Sequence, residues 1–555
     1  MLLWFVFLYL LISVGIGLVA ATRVHSAKDY AVAGRNLPFP IVMATVFATW
    51  FGAESVFGIS STFLKDGLGG IVADPFGSSL CLVLAGILFS RYLYRLNIIT
   101  LGDFYRMRFN RTVEVITTIC IVISYLGWVA AQIKALGLLF STVSDGGISE
   151  PTGMVLGATL VLTYTVFGGM FSVAILDFVQ MLVMLGGLLF IAWLVAGQVD
   201  GGVGAVVADA SAKGKFEFFP KEADPWLWLT FIGTGVTMMF GSIPQQDVFQ
   251  RVTSAKSAKI ALWGSVAGAS LYFCFTFVPM FIAYSATMID PAQFGGMVAD
   301  NAELIVPTLV KNYTPPLAQI LFYGAILSAI MSTASATLLA PSVTFAENVI
   351  RGYFPRMGDH RFLWVMRLCL VVFAALVLIV ALNSELSIFK MVESAYKVTL
   401  AGAFVPLVFG ILWKRATTQG ALAATFGGLT AWLLVEVLVA EGAQIDYAYA
   451  LIGPNAVPSQ LTGLAVSTLG MLAGSLLPQW VGHKTPGRPL HELQHRAAME
   501  THHVAEHHHT RSVSTSAKRK QSPQRTNILG KSKQPSFHGR VFHCTLRNVT
   551  LNTMI

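Results

Sequence analysis

Apolar residues along this chain come in long unbroken runs, with none of the three-and-four alternation of a half-buried soluble helix. Runs of about 20 apolar residues are long enough to cross a ~30 Å hydrocarbon core as helices. They occupy residues 1–22, 38–61, 70–94, 112–143, 153–172, 175–197, 226–249, 260–284, 316–346, 362–382, 386–412, 418–440 and 458–478, which predicts thirteen spans. The first has no basic residue ahead of it and is longer than a signal-peptide core, so it reads as a retained helix. After the last span the pattern stops. Residues 483–555 are rich in His, Ser, Lys and Gln without apolar periodicity, the composition of a disordered extension.

Composition turns this pattern into a class. Charged residues make up 12% of the chain, against about 25% in an ordinary soluble domain, so the prediction is an all-α integral membrane protein. The five cysteines have neither metal-site nor disulfide spacing. The formal net charge is +9, and all of it belongs to the part after residue 482, which holds twelve Lys/Arg against three Glu. With the N-terminus outside, seventeen Lys/Arg fall in inward loops and five in outward loops. That asymmetry predicts an N-out, C-in protein of the plasma or bacterial inner membrane. Asn548-Val-Thr550 matches a glycosylation acceptor but would then face the cytoplasm.

Two spans look interrupted. The second carries ATWFGAES at 48–55, with Gly52 and Gly58 around Glu54; the seventh carries Gly233, Gly235, Gly241 and Pro244 ahead of Gln245, Gln246 and Asp247. Broken helices five spans apart are the mark of two inverted five-helix halves, with solute and ions bound where the helices unwind. Glycines that merely let helices pack closely would look the same. The resulting organisation is an N-terminal helix and inner loop (1–37), a first repeat of spans 2–6 (38–197), an outer loop (198–225) and a second repeat of spans 7–11 (226–415). Two further helices (416–482) and the tail (483–555) complete it.

Unwinding at mid-membrane frees backbone groups that lipid cannot satisfy, so a break persists only where it lines a cavity or holds a ligand. Carbonyls ahead of Gly52, from Ala48 to Phe51, would end a half-helix with partial negative charge suited to a cation. In the ninth span, Ala329, Ser332 and Thr333 share one helical face. The same spacing also serves a packed interface or hydroxyls bonded back to their own helix.

Four separated segments carry a resemblance: ATWFGAESVFGIS, GGMFSVAILDFVQ at 168–180, QQDVFQR at 245–251 and AILSAIMSTAS at 325–335. Together they resemble the sodium:solute symporter family, whose members use a five-plus-five inverted-repeat fold, over about residues 26–415. The resemblance implies a sodium site from the carbonyls of Ala48, Phe51 and Ala329 and the hydroxyls of Ser332 and Thr333, with Asp177 on the inward sodium exit path. An acidic residue near a helix N-terminus can equally serve the dipole.

Glu54 matches a glutamate of sugar-transporting members and has three readings: a brace for the break, a solute contact or a proton carrier. The triplet Ala48-Thr49-Trp50 is similar to the choline-transporting branch, where an aromatic face could hold a quaternary ammonium, although that branch has glycine at the position of Glu54. Further solute candidates are Ser55, Tyr125, Trp128, Gln246 and Tyr396, with Phe240 as a fifth aromatic beside Trp50, although aromatics within spans also serve packing. Lys390 and Glu393 lie one turn apart and can pair; Lys134 and Lys397 have no partner in the sequence pattern. The expected function is sodium-coupled import of a small organic solute by alternating access, with no enzyme activity, no cofactor beyond the coupling ion and no nucleic-acid partner. The alternatives are a membrane sensor on the same body and proton coupling.

Overall fold

A computed structural model describes residues 2–354, 356–441 and 458–481. The basic, His-rich tail and Asn548 lie outside the described residues. No strand forms among the described residues, and nine helices are long and apolar enough to cross a membrane, or eleven if each of two sharply bent pairs counts as one span. In chain order the long elements are α1 (Leu2–Ala21), the bent pair α2 (Phe39–Trp50) and α3 (Glu54–Gly70), α4 (Val72–Arg95), α5 (Arg111–Val143) and α6 (Glu150–Ala196). A second bent pair, α7 (Pro225–Gly241) and α8 (Gln246–Ser254), is followed by α9 (Ala258–Ile289), α10 (Pro316–Tyr353), α11 (Asp359–Asn383) and α12 (Ile388–Leu412). The series ends with α13 (Thr418–Glu441) and α14 (Ser459–Leu476).

Local chemistry sets many of the starts. Asn110, Ser149, Asp224, Ser257 and Ser387 each accept a backbone N–H of the first turn through a side-chain oxygen, satisfying donors that the helix leaves open. Pro225 and Pro316 occupy first-turn positions, where their missing N–H costs nothing.

The fifth and sixth predicted spans are not separated by a loop. They form one helical stretch of 47 residues, interrupted only at Gly169, which has φ 49° and ψ −143°. A straight helix of that length would be about 70 Å long, more than twice the hydrocarbon core. Gly17 shows what happens instead: a methyl placed on it would lie 2.9 Å from Tyr164 Cβ and 3.1 Å from Leu176 Cδ1. Residues twelve apart cannot meet at one point on a straight helix, so α6 doubles back at Gly169. Only glycine fits this corner, because φ is positive and a Cβ would sit 2.5 Å from the Tyr30 carbonyl.

Helix α10 runs through the middle of the bundle, and every residue from Ala325 to Thr344 is buried. A helix enclosed on all sides shows no amphipathic stripe, and its small residues (Ala, Ser, Thr) allow neighbours to approach closely. The linker into α2 is tied to the end of α8 by a short parallel bridge, with Leu37 N–H on the Ser254 carbonyl at 3.0 Å and Lys256 N–H on the Leu37 carbonyl at 2.9 Å. One end of each bent pair is thereby joined to the other.

Candidate ion and solute site

The first break falls at the quoted stretch. Helix α2 ends at Trp50, Phe51 leaves helical geometry, and the chain turns by 56° into α3. Across the gap stands α10: Ser332 Oγ lies 3.0 Å and Thr333 Oγ1 3.2 Å from the Ala48 carbonyl oxygen. Ala329 is buried one turn earlier on the same helix. The structure thus brings Ser332 and Thr333 against the Ala48 carbonyl, across about 280 residues of sequence; Phe51 caps the same half-helix as Ala48, and Ala329 lies on the same helix as the two hydroxyls. Their oxygens are uncharged carbonyls and hydroxyls, the donor type a hard monovalent cation prefers.

Asp177 sits directly behind this set. Ser332 Oγ is 2.5 Å from Asp177 Oδ1, and Thr45 of α2 donates its hydroxyl to Asp177 Oδ2. A serine hydroxyl has a single proton. Given to the carboxylate, it leaves the oxygen lone pairs of Ser332 facing the Ala48 side. Asp177 therefore orients a predicted ligand as well as contributing charge.

Gly52 turns out to be required by crowding. A Cβ there would lie 2.7 Å from both Glu54 Oε2 and Thr333 Oγ1 and 2.8 Å from Gln132 Oε1. These oxygens converge on the break, so the Glu54 carboxylate and the Thr333 hydroxyl lie within twice 2.7 Å of each other. Gln132 of α5 holds the segment in place. Its Oε1 accepts the Ala53 N–H at 2.9 Å, and its Nε2 donates to Glu54 Oε2 at 2.5 Å. Trp128 Nε1 donates to Glu54 Oε1 at 3.2 Å. Glu54 is buried with both oxygens accepting N–H groups, an arrangement that suits a carboxylate acting as a brace.

Beside the break, rings from three helices pack together. Trp50 lies 5.3 Å from Trp128 and 6.1 Å from Tyr396, Trp128 lies 5.6 Å from Tyr396, and Tyr125 stacks on Trp128 at 6.0 Å. Four of the five predicted aromatics thus form one cluster; Phe240 stacks instead on Phe404 at 4.9 Å. Ser55 is placed elsewhere, with its hydroxyl on the Trp50 carbonyl at 3.2 Å and near Tyr272 Oη at 3.4 Å. Gln246 also faces away, its Oε1 accepting Leu101 N–H at 2.8 Å and its Nε2 reaching the Ile99 carbonyl at 3.4 Å. It latches the second bent pair, which turns by 43°, to the loop before residue 101.

A profile of the sodium:solute symporter family matches residues 30–428. The chain belongs to the sodium:solute symporter family. It is a transporter and not an enzyme, and its class is sodium-coupled symport. The High-affinity choline transporter 1 of Drosophila melanogaster is 27% identical over 450 residues, covering 79% of this chain and 70% of its own length. The Sodium/glucose cotransporter of Vibrio parahaemolyticus is 25% identical over 448 residues, covering 75% and 81%. Among solved structures, a Na+-coupled sialic acid symporter in a substrate-bound outward-open state superposes with a TM-score of 0.71 at 19% identity, covering 88% of this chain and 98% of that one. That last likeness is one of fold.

The structure also gives partners to three buried charged residues, Asp74, Asp247 and Arg251, that were not among the predicted site residues. Asp74, buried on α4, accepts Tyr272 Oη–H and Ser78 Oγ–H at 2.5 Å each. Asp247 of α8 accepts the Tyr125 hydroxyl and returns its own N–H to that oxygen at 2.8 Å. Arg251, one turn on, donates Nε to Thr49 Oγ1 at 2.8 Å and Nη1 to the Asp247 carbonyl at 3.0 Å. A charged residue inside a predicted span is the signal that would have found Asp74 and Asp247; Arg251 falls just past the predicted end of the seventh span and reads there as a loop charge.

Lys390 pairs with Glu393 at 2.7 Å as expected. Lys397 meets Glu436 at 2.9 Å, and Lys134 Nζ reaches the Leu386 carbonyl at 2.8 Å. At the end of the bundle where the predicted outward loops gather lies a cavity of about 930 Å³ lined by Thr62, Lys65, Lys134, Glu303, Phe389 and Lys390, among others. Burial pushes the Glu303 carboxyl above its ordinary range, while the Ile388 N–H at 2.9 Å supports its charged form.

Proposed function

We propose that the protein imports a small organic solute with a cationic group, driven by one or more sodium ions, by alternating access between an outward and an inward opening. The sodium ligands are the carbonyls of Ala48, Phe51 and Ala329 and the hydroxyls of Ser332 and Thr333; Asp177 orients Ser332 and stands on the inward exit path. The cluster of Trp50, Tyr125, Trp128 and Tyr396 receives the cationic group by cation–π attraction. Glu54 braces the break and holds a negative charge beside both the ion and the solute.

The observation that carries this reading is the meeting of Ser332 and Thr333 with the Ala48 carbonyl across the first break. It puts uncharged oxygens from two helices at one point, so an ion bound there closes the gap between elements that otherwise rock apart. Thirteen spans follow if α6 counts as two crossings at Gly169 and α14 as one. The two bent pairs, five spans apart, then head the two halves of an inverted repeat. The N-terminus lies outside, the C-terminus inside, and the large cavity faces the exterior.

The test is uptake into proteoliposomes of labelled amines, quaternary amines, amino acids, short carboxylates and sugars, with and without an inward sodium gradient. Sodium-driven uptake confined to cationic or amine-bearing solutes is the expected result. Uptake that survives in sodium-free buffer and follows a proton gradient would assign the coupling to protons.

A further inference from the structure

The aromatic cluster is bordered by buried hydrogen-bond acceptors with nothing to accept. Asp247 is fully buried. The Tyr125 hydroxyl engages its Oδ1, and its Oδ2 has no partner. Gln245, the residue before α8, spends its Nε2 on Ser124 Oγ at 2.8 Å and reaches Thr399 Oγ1 at 3.4 Å, and its Oε1 has no partner. The Tyr396 hydroxyl is likewise fully buried and unpartnered, although its ring belongs to the cluster. Tyr125 and Ser124 are adjacent on α5, and Tyr396 and Thr399 lie one turn apart on α12, so Asp247 and Gln245 of the second bent pair contact the elements that carry the rings. An unpaired buried acceptor is costly, and a carboxylate oxygen is the costliest of these.

Resting on the proposed reading that this cluster receives the solute, we propose that the solute's cationic group carries N–H donors. It is a protonated primary or secondary amine, or a guanidinium, in contrast to the quaternary ammonium that the name of the choline-transporter relatives implies for them. The reasoning is geometric. An aromatic cage attracts any cation through its ring faces and does not distinguish a methylated nitrogen from a protonated one. Acceptors do distinguish them: each N–H replaced by N–CH₃ removes a donor and leaves Asp247 Oδ2, Gln245 Oε1 or Tyr396 Oη buried and unpaired. A site built to hydrogen-bond its ligand rejects the analogue that lacks the donor far more strongly than a purely apolar site rejects a methylene.

Arg251 does not satisfy Asp247 Oδ2: its Nε is engaged by Thr49 and its Nη1 by the Asp247 backbone carbonyl. It is buried one turn from Asp247, and its Nη2 has no partner.

The experiment uses the purified full-length chain in detergent with sodium present, read by thermal stabilisation and by competition. Ligands are two N-methylation ladders, ethanolamine to choline and glycine to its trimethyl betaine, together with agmatine and guanidine. The expected result is at least about tenfold weaker binding for each fully methylated member than for its parent amine, or binding by the guanidinium compounds alone. Asp247→Asn should flatten the ladder to within about threefold, scaling with the loss of one charged acceptor. Tyr396→Phe keeps the ring, removes an unpartnered hydroxyl, and should reduce the discrimination without harming folding, which covers the case in which Asp247→Asn fails to fold. Preference for the quaternary members, a ladder unchanged in both variants, or no binding of any amine at millimolar concentration would each overturn the proposal. Stabilisation by sodium alone, lost on changing Ser332 and Thr333, is measured in the same samples and reports on the ion site independently of these outcomes.

Discussion

Ser332 occupies a junction of three oxygens. Its hydroxyl stands between a helix-end carbonyl and a buried carboxylate, so its proton position and its availability to an ion are one question. Thr333 reaches the same carbonyl from the next position. Replacing both with alanine removes two of the five proposed ligands and one buried methyl, while raising helix propensity slightly. The sodium concentration for half-maximal uptake should then rise at least about tenfold, the scale expected for lost charge-assisted contacts; an unchanged sodium curve would remove the hydroxyls from the site. The family resemblance supplied this pair in the sequence but not their link to Asp177, because nothing in local spacing relates residues 155 positions apart. Gly52 was legible as a breaker, yet its role is steric: three side-chain oxygens stand where a methyl would go. Two of those oxygens belong to Gln132 and Thr333, 80 and 281 positions away, which no local pattern holds.

At the scale of elements, most boundaries followed from apolar runs and side-chain caps, since the length of a crossing is fixed by the bilayer. The fifth and sixth spans were the exception in kind. The glycine pair at 168–169 marks a turn in the sequence, but the fifth span ends there and not at 172, because the chain reverses on one residue of positive φ. The outer ends of elements are tied by polar contacts of a different sort. Lys311, in the segment preceding α10, donates to Asp145, beyond the end of α5, and to the Thr142 carbonyl at 3.0 Å. The lysine holds the Asp145 carboxyl below the usual carboxylate range. A depressed acid contributes stability above its unfolded value, near pH 4, and loses it as pH falls through the lowered folded value. Melting curves in detergent should therefore show Asp145→Asn slightly less stable than the parent at pH 6, with the difference disappearing as pH approaches 3. A difference that persisted at low pH would mean that the contact acts through packing. The pair is exposed on the aspartate side, so the effect should be small.

For the whole molecule, energy and geometry point the same way. One charge crossing 100 mV releases about 2.3 kcal/mol, and a tenfold sodium gradient adds about 1.4 kcal/mol. The total, near 3.7 kcal/mol, sustains roughly 500-fold accumulation of a neutral solute per sodium ion, and the potential would add to this for a cationic one. The cavity among the predicted outward loops gives a direct test of the state described. With Cys81, Cys120, Cys274, Cys369 and Cys544 replaced by serine, a cysteine introduced at Thr62 should react with a membrane-impermeant maleimide in intact cells. The reaction should be faster in sodium than in its absence, because the ion favours the outward opening. Labelling only after permeabilisation would reverse the assigned orientation.

The corner at Gly169 bears on how such a cycle can run. No spare residue separates the two arms of α6, and each arm is pinned to neighbouring positions of α10: Tyr164 Oη–H bonds the Met331 carbonyl at 3.0 Å, and Asp177 takes the Ser332 hydroxyl. A hairpin with no slack, fastened on both sides of its bend to consecutive links of one rod, behaves as a bracket. Neither arm can creep along the membrane normal by itself. On the proposed reading, release of the ion carries α2 away from this bracket and breaks the Thr45 hydrogen bond to Asp177, with α2 as the moving jaw and α10 as the anvil.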